Sequence, residues 1–156
     1  MDNQTPINPF SGRLKPHAHA SFSGIESDIL IEGDGSLFSV MDMTIAAGGG
    51  APAHRSFDED KLFQVVMGRV FFAVGKETFF AHAGESIFVS KGEVHGFSAA
   101  NNQAARMTLV STPGRHDRFF LAMSELPTPH QAADVDKVCE IYGQAIVGPV
   151  PLPQQG

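Results

Sequence analysis

The chain has 156 residues, 42% hydrophobic and 18% charged, a composition that suits one globular domain with its own core and argues against disorder. Its net charge of −6 provides no basic face for phosphate backbones, so nucleic acid is not an expected partner. The single cysteine, Cys139, cannot form an internal disulfide and suits a reducing cytoplasm. No apolar run approaches the roughly 18 residues a membrane helix needs, and the polar start does not read as a signal peptide.

Residues 1–22 form an arm rich in Pro, Asn and Ser, with no clear period. Ser27 to Ile31 reads as a short strand and Gly33-Asp34-Gly35 as a turn. Leu37 to Ile45 reads as a longer strand ended by Gly48-Gly49-Gly50. Six short segments then alternate with turn signals: Lys61 to Met67, Arg69 to Val74, Glu77 to Ala81, Ser86 to Val89, His95 to Ala99 and Ala105 to Thr112. Short strands at this spacing argue for a sandwich or barrel, not for βαβ units. The tail changes period. Phe119, Met123 and Leu126 sit at helical spacing behind Asp117. Val135, Val138, Ile141 and Tyr142 mark a second helix, with Gly143 just past its end. The expected organisation is an arm over 1–22, a barrel over 23–115 and a helical extension over 116–156 that packs on the barrel. Thirteen Phe, one Tyr and no Trp provide apolar lining with few buried hydroxyls.

Two glycine-bounded segments carry the chemistry. The first is Gly50-Ala-Pro-Ala-His54-Arg-Ser56-Phe-Asp-Glu-Asp-Lys61-Leu-Phe-Gln-Val-Val-Met-Gly68. The second is Gly84-Glu-Ser-Ile-Phe-Val-Ser90-Lys-Gly92-Glu-Val-His95-Gly-Phe-Ser-Ala99. In glycine placement and spacing they resemble the two motifs of the cupins: H-x-H, then E and G, and later G, P-x-G, H and N. The likeness covers about residues 37 to 112. It implies an all-β, double-stranded β-helix (jelly-roll, RmlC-like) barrel with short C-terminal helices. The tail, through Phe119-Phe120 and Tyr142-Gly143, also resembles single-domain bacterial cupins of the quercetin dioxygenase-like kind.

In that family the two histidines of H-x-H, the glutamate and the later histidine hold one metal ion. Alternate strand residues share a face, so H-x-H points both imidazoles inward. Carried over, His54 matches the first histidine and His95 the late one. Ser56 stands in place of the second histidine, Lys61 in place of the glutamate, Ser90 in place of the proline and Ala99 in place of the asparagine. The resemblance therefore implies a degenerate metal site. Two histidines hold Fe, Mn, Ni or Zn weakly or not at all, because such ions want three or four protein ligands. A lysine ammonium adds positive charge where a carboxylate would offset the metal. Of the neighbouring carboxylates Asp58, Glu59 and Asp60, Asp60 adjoins the glutamate position but should face the other way.

Phe63, Val65 and Phe97 should alternate inward with Lys61 and His95 and line the pocket with Ser56 and Ala99. His17-x-His19 has ligand spacing but lies in the arm, and His82 is expected to be exposed. Three readings follow. One is a cupin that binds a small molecule without a metal, using His54, His95 and Lys61. Another is a metal-dependent dioxygenase for an aromatic or other apolar substrate. The last is a regulatory or structural module without chemistry. A homodimer is expected, because open barrels leave strand edges that need cover.

Overall fold

A computed structural model describes residues 11–33 and 37–154. The Gly33-Asp34-Gly35 turn falls mostly outside them, as does the first half of the arm. Eleven strands and two helices follow in chain order: β1 (Ala18–Phe22), β2 (Ile25–Ile31), β3 (Ser39–Ile45), β4 (Gly50–Ser56), β5 (Asp60–Met67), β6 (Arg69–Val74), β7 (Glu77–His82), β8 (Ser86–Val89), β9 (His95–Ala99), β10 (Ala105–Thr112), α1 (His116–Ser124), α2 (Ala132–Tyr142) and β11 (Gln144–Ile146). They build two antiparallel sheets, ordered β1-β2-β3-β10-β5-β8 and β11-β4-β9-β6-β7. Together they close into a jelly-roll barrel.

Period-two alternation puts the apolar residues between the sheets. Ile25, Ile29, Met41, Met43, Ile45, Met107 and Leu109 from β2, β3 and β10 are each no more than 1% exposed. At about 1.5–3 kcal/mol per large apolar side chain, this face supplies much of the drive for closure. On β5 the same alternation buries Lys61, Phe63 and Val65 together, so one cation shares the apolar face.

Three strands form where the sequence shows no strand of its own. β1 lies within the arm and pairs with β2, while its Phe22 packs edge-on against Phe120 of α1 at 4.9 Å. β4 is made of Gly, Ala and Pro before His54, poor strand formers, and forms because β9 and β11 hydrogen-bond it on either side. Its pairing with β9 slips between Ala51 and His54, around Pro52, which cannot donate to the ladder. At Gly50 a Cβ would lie 2.0 Å from the Phe97 carbonyl oxygen, so only glycine lets β4 approach β9. β11 follows directly on Gly143, whose left-handed φ of 66° ends α2 and turns the chain back to the sheet. The tail is therefore not only helical: its β11 is a strand of the barrel.

Both helices sit on the barrel mouth. Phe119, Phe120 and Met123 of α1 and Val138 and Cys139 of α2 join the main core. Among the described residues, no helix is long and apolar enough to cross a membrane.

Candidate functional site

β4 and β9 run antiparallel with His54 directly opposite His95, and the two rings lie 4.2 Å apart between centroids. Each ring is set by a carbonyl two residues earlier. Nδ1 of His54 donates to Pro52 O at 2.6 Å, and Nδ1 of His95 donates to Glu93 O at 2.9 Å. With the protons on Nδ1, both Nε2 lone pairs turn to the barrel interior.

Lys61 arrives there from the other sheet, on β5. Its Nζ lies 3.2 Å from His54 Nε2 and 3.1 Å from His95 Nε2, and the residue is 2% exposed. The amine donates to both rings, which favours its charged form. Burial opposes that and brings the lysine from 10.5 down to about 7, with Glu59 pulling the other way. Burial, and then the charge of Lys61, pushes His95 down to about 3 and holds His54 well below its usual range. Both imidazoles are neutral acceptors.

The donor set does not fit the metal that the motifs imply. The point where the two Nε2 lone pairs converge is taken by a cationic nitrogen. Among the described residues, no group of three or more His, Cys, Asp or Glu side chains is arranged to hold a metal ion.

Ser56 serves a different polar chain. Its Oγ donates to Gln144 Oε1 at 2.6 Å, and Gln144 Nε2 donates to Glu59 Oε2 at 3.1 Å. Gln144 stands on β11, in register with Ser56. Glu59 is 3% exposed, and burial raises its carboxyl above the usual range while Lys61 opposes the rise. Asp60 faces outward as expected, accepting from the Lys91 N–H at 2.8 Å. It is Glu59, two residues before Lys61 and so on the same face, that turns inward.

A cavity of about 450 Å³ opens above this centre. The barrel contributes His54, Lys61, Phe63, Phe97 and Leu109, and α1 contributes His116, Phe119, Phe120 and Met123. Three residues expected in the pocket are not part of its lining. Val65 and Ala99 lie one strand repeat beyond Phe63 and Phe97 and are buried in the core instead, and Ser56 is turned to Gln144. His116 and Gln144 were not singled out in the sequence: one opens a helix and the other sits in a three-residue strand, so neither carries a period. His82 is exposed. His19 is held at the surface between Asp28, at 2.9 Å, and Glu26, at 2.5 Å, and both carboxylates raise its pKa.

Fold and site together define a small two-sheet barrel that encloses an apolar cavity over a His–Lys–His centre. Residues 41–111 match the family model described as a cupin domain. Among solved structures, an RmlC-like cupin from Shewanella frigidimarina is similar at 17% identity and a TM-score of 0.58, covering 71% of this chain and 94% of that one. A sugar phosphate isomerase of the cupin superfamily from Silicibacter pomeroyi is similar at 18% identity and a TM-score of 0.54, covering 64% and 71%. The polyketide cyclase RemF from Streptomyces resistomycificus is similar at 23% identity and a TM-score of 0.53, covering 64% and 74%. No curated protein matches the sequence. These identities establish the fold alone, and the differing functions of the neighbours assign no reaction.

Proposed function

We propose that this cupin binds a small, mostly apolar molecule without a resident metal, using Lys61 as the cationic centre. One observation carries the reading: the Lys61 Nζ sits between the two Nε2 atoms, at 3.2 and 3.1 Å. A fixed cation with two imidazole acceptors can steady a carbonyl or enolate oxygen, or exchange a proton with it. The Phe-rich walls exclude water and take the apolar body. The dioxygenase reading of the quercetin dioxygenase-like resemblance loses support from the same contact.

Native mass spectrometry of untagged protein tests this. No stoichiometric Fe, Mn, Ni or Zn is expected, and any co-purifying small molecule should stay bound when a chelator is added. Stoichiometric metal whose removal releases the ligand would sink the reading.

We extend the proposal to a cytoplasmic homodimer. Cys139 is a free, buried thiol, and the edge strand β8 exposes Phe88 beside Leu62 of β5, 62% and 43% exposed. Size-exclusion chromatography should return twice the chain mass; a monomer would remove this part.

A further inference from the structure

We infer that His116, oriented by Glu59, is a second recognition group of the cavity and accepts a hydrogen bond from a hydroxyl on a planar apolar ligand. The inference rests on the small-molecule reading above and adds the ligand's class.

His116 opens α1, is 2% exposed and borders the cavity. Its ring is clamped by aromatic neighbours, stacked on Phe119 at 5.6 Å and tilted against Phe120 at 5.1 Å. Nδ1 has no hydrogen-bond partner among the described residues, and it faces Glu59 Oε2 at 3.8 Å, beyond hydrogen-bond length. A carboxylate facing one ring nitrogen favours the proton on that nitrogen. The other nitrogen, Nε2, points nearly the opposite way and then carries the lone pair. With Nδ1 turned to Glu59, Nε2 is the ring nitrogen left for a ligand in the cavity that His116 borders.

Burial, followed by the charge of Lys61, keeps this imidazole neutral, which preserves its acceptor. An acceptor in an apolar chamber selects a donor. A bare carbonyl has none to offer. A sugar would bring many hydroxyls to a lining that is mostly apolar, and each unmatched one would be costly. A phenol or similar aryl alcohol fits: one donor on a flat apolar body, sized for about 450 Å³.

The test compares naphthol with methoxynaphthalene, which keeps the shape and loses the donor. The chain has no Trp and one Tyr, so the probes' own fluorescence reports binding with little protein background. The wild type should bind naphthol about 10-fold more tightly than the ether. In His116→Phe that ratio should fall to about one, and Glu59→Gln should reduce the ratio by freeing the ring's proton. Equal affinities in the wild type would overturn the subsite and leave the apolar cavity standing; that comparison needs no variant to fold. An unchanged ratio in folded His116→Phe would also overturn it. Binding of neither probe would overturn the small-molecule reading, and the subsite with it.

Discussion

Replacing Lys61 by glutamate should convert the centre into a metal site. In the wild type the two Nε2 lone pairs point at an amine nitrogen, 3.1 and 3.2 Å away, and not at open space. Lys61→Glu removes the cation, frees both imidazoles and supplies a carboxylate from the same inward position on β5. Three ligands of that kind suit Ni, Zn or Fe. The nearby Glu59, uncomfortable as a buried anion, would gain from the added positive charge. Titration calorimetry with Zn or Ni should show affinity rising by at least about 100-fold, and His54→Ala or His95→Ala in the Lys61→Glu background should abolish the gain. If uptake by the glutamate variant matched that of the wild type, the lysine would not be standing in the ligand slot.

The second large effect concerns stability against pH. Burial lowers Lys61 from 10.5 to about 7 in the folded chain. Between those values the unfolded chain holds a proton that the folded chain has released, so stability rises with pH across that window. Below about pH 7 both states are protonated, and the full penalty of the buried ammonium is present. From about pH 7 to about pH 9 the gain should approach 2 kcal/mol, at about 1.4 kcal/mol per pH unit. Lys61→Met keeps the length of the side chain and cannot titrate. Urea unfolding of both proteins at the two pH values reports the lysine together with its hold on Glu59, whose carboxyl it lowers. Parallel curves for wild type and variant would mean that the ammonium is not buried at this cost. The raised carboxyl of Glu59 has the opposite sign: the folded chain binds its proton more readily, so its contribution fades as pH climbs from its unfolded value through its folded one.

The strands from Arg69 to Thr112 were legible because each pairs a clear apolar run with a turn signal. Arg69–Val74, Ser86–Val89, His95–Ala99 and Ala105–Thr112 begin and end where the sequence places them. β1, β4 and β11 were not legible, since neighbours impose their conformation and their composition does not. The cupin-like motif spacing singled out His54, Lys61 and His95, and the structure brings the Lys61 amine within hydrogen-bonding reach of both rings. Period-two alternation, applied two residues upstream of Lys61, would have found Glu59. Asp60, the immediate neighbour of the expected ligand position, turns outward to the Lys91 N–H. His116 and Gln144 had no such signal, because they reach the cavity through how the tail folds back over the mouth. The extent of the lining was harder still: depth along a strand decides whether an inward residue meets the cavity or the core, and alternation says nothing of depth.

The cavity has a floor and a roof of different origin. The floor, with His54, Lys61 and Phe63, is written in the stretch matched by the family model, residues 41–111. The roof, with His116, Phe119, Phe120 and Gln144, lies wholly in the chain that follows. On the proposed reading, charge centre and selecting roof thus sit on separate lengths of polypeptide, and a tail from another barrel spliced after Thr112 would re-address the molecule to a new guest provided it also supplies the strand that β11 lends to β4.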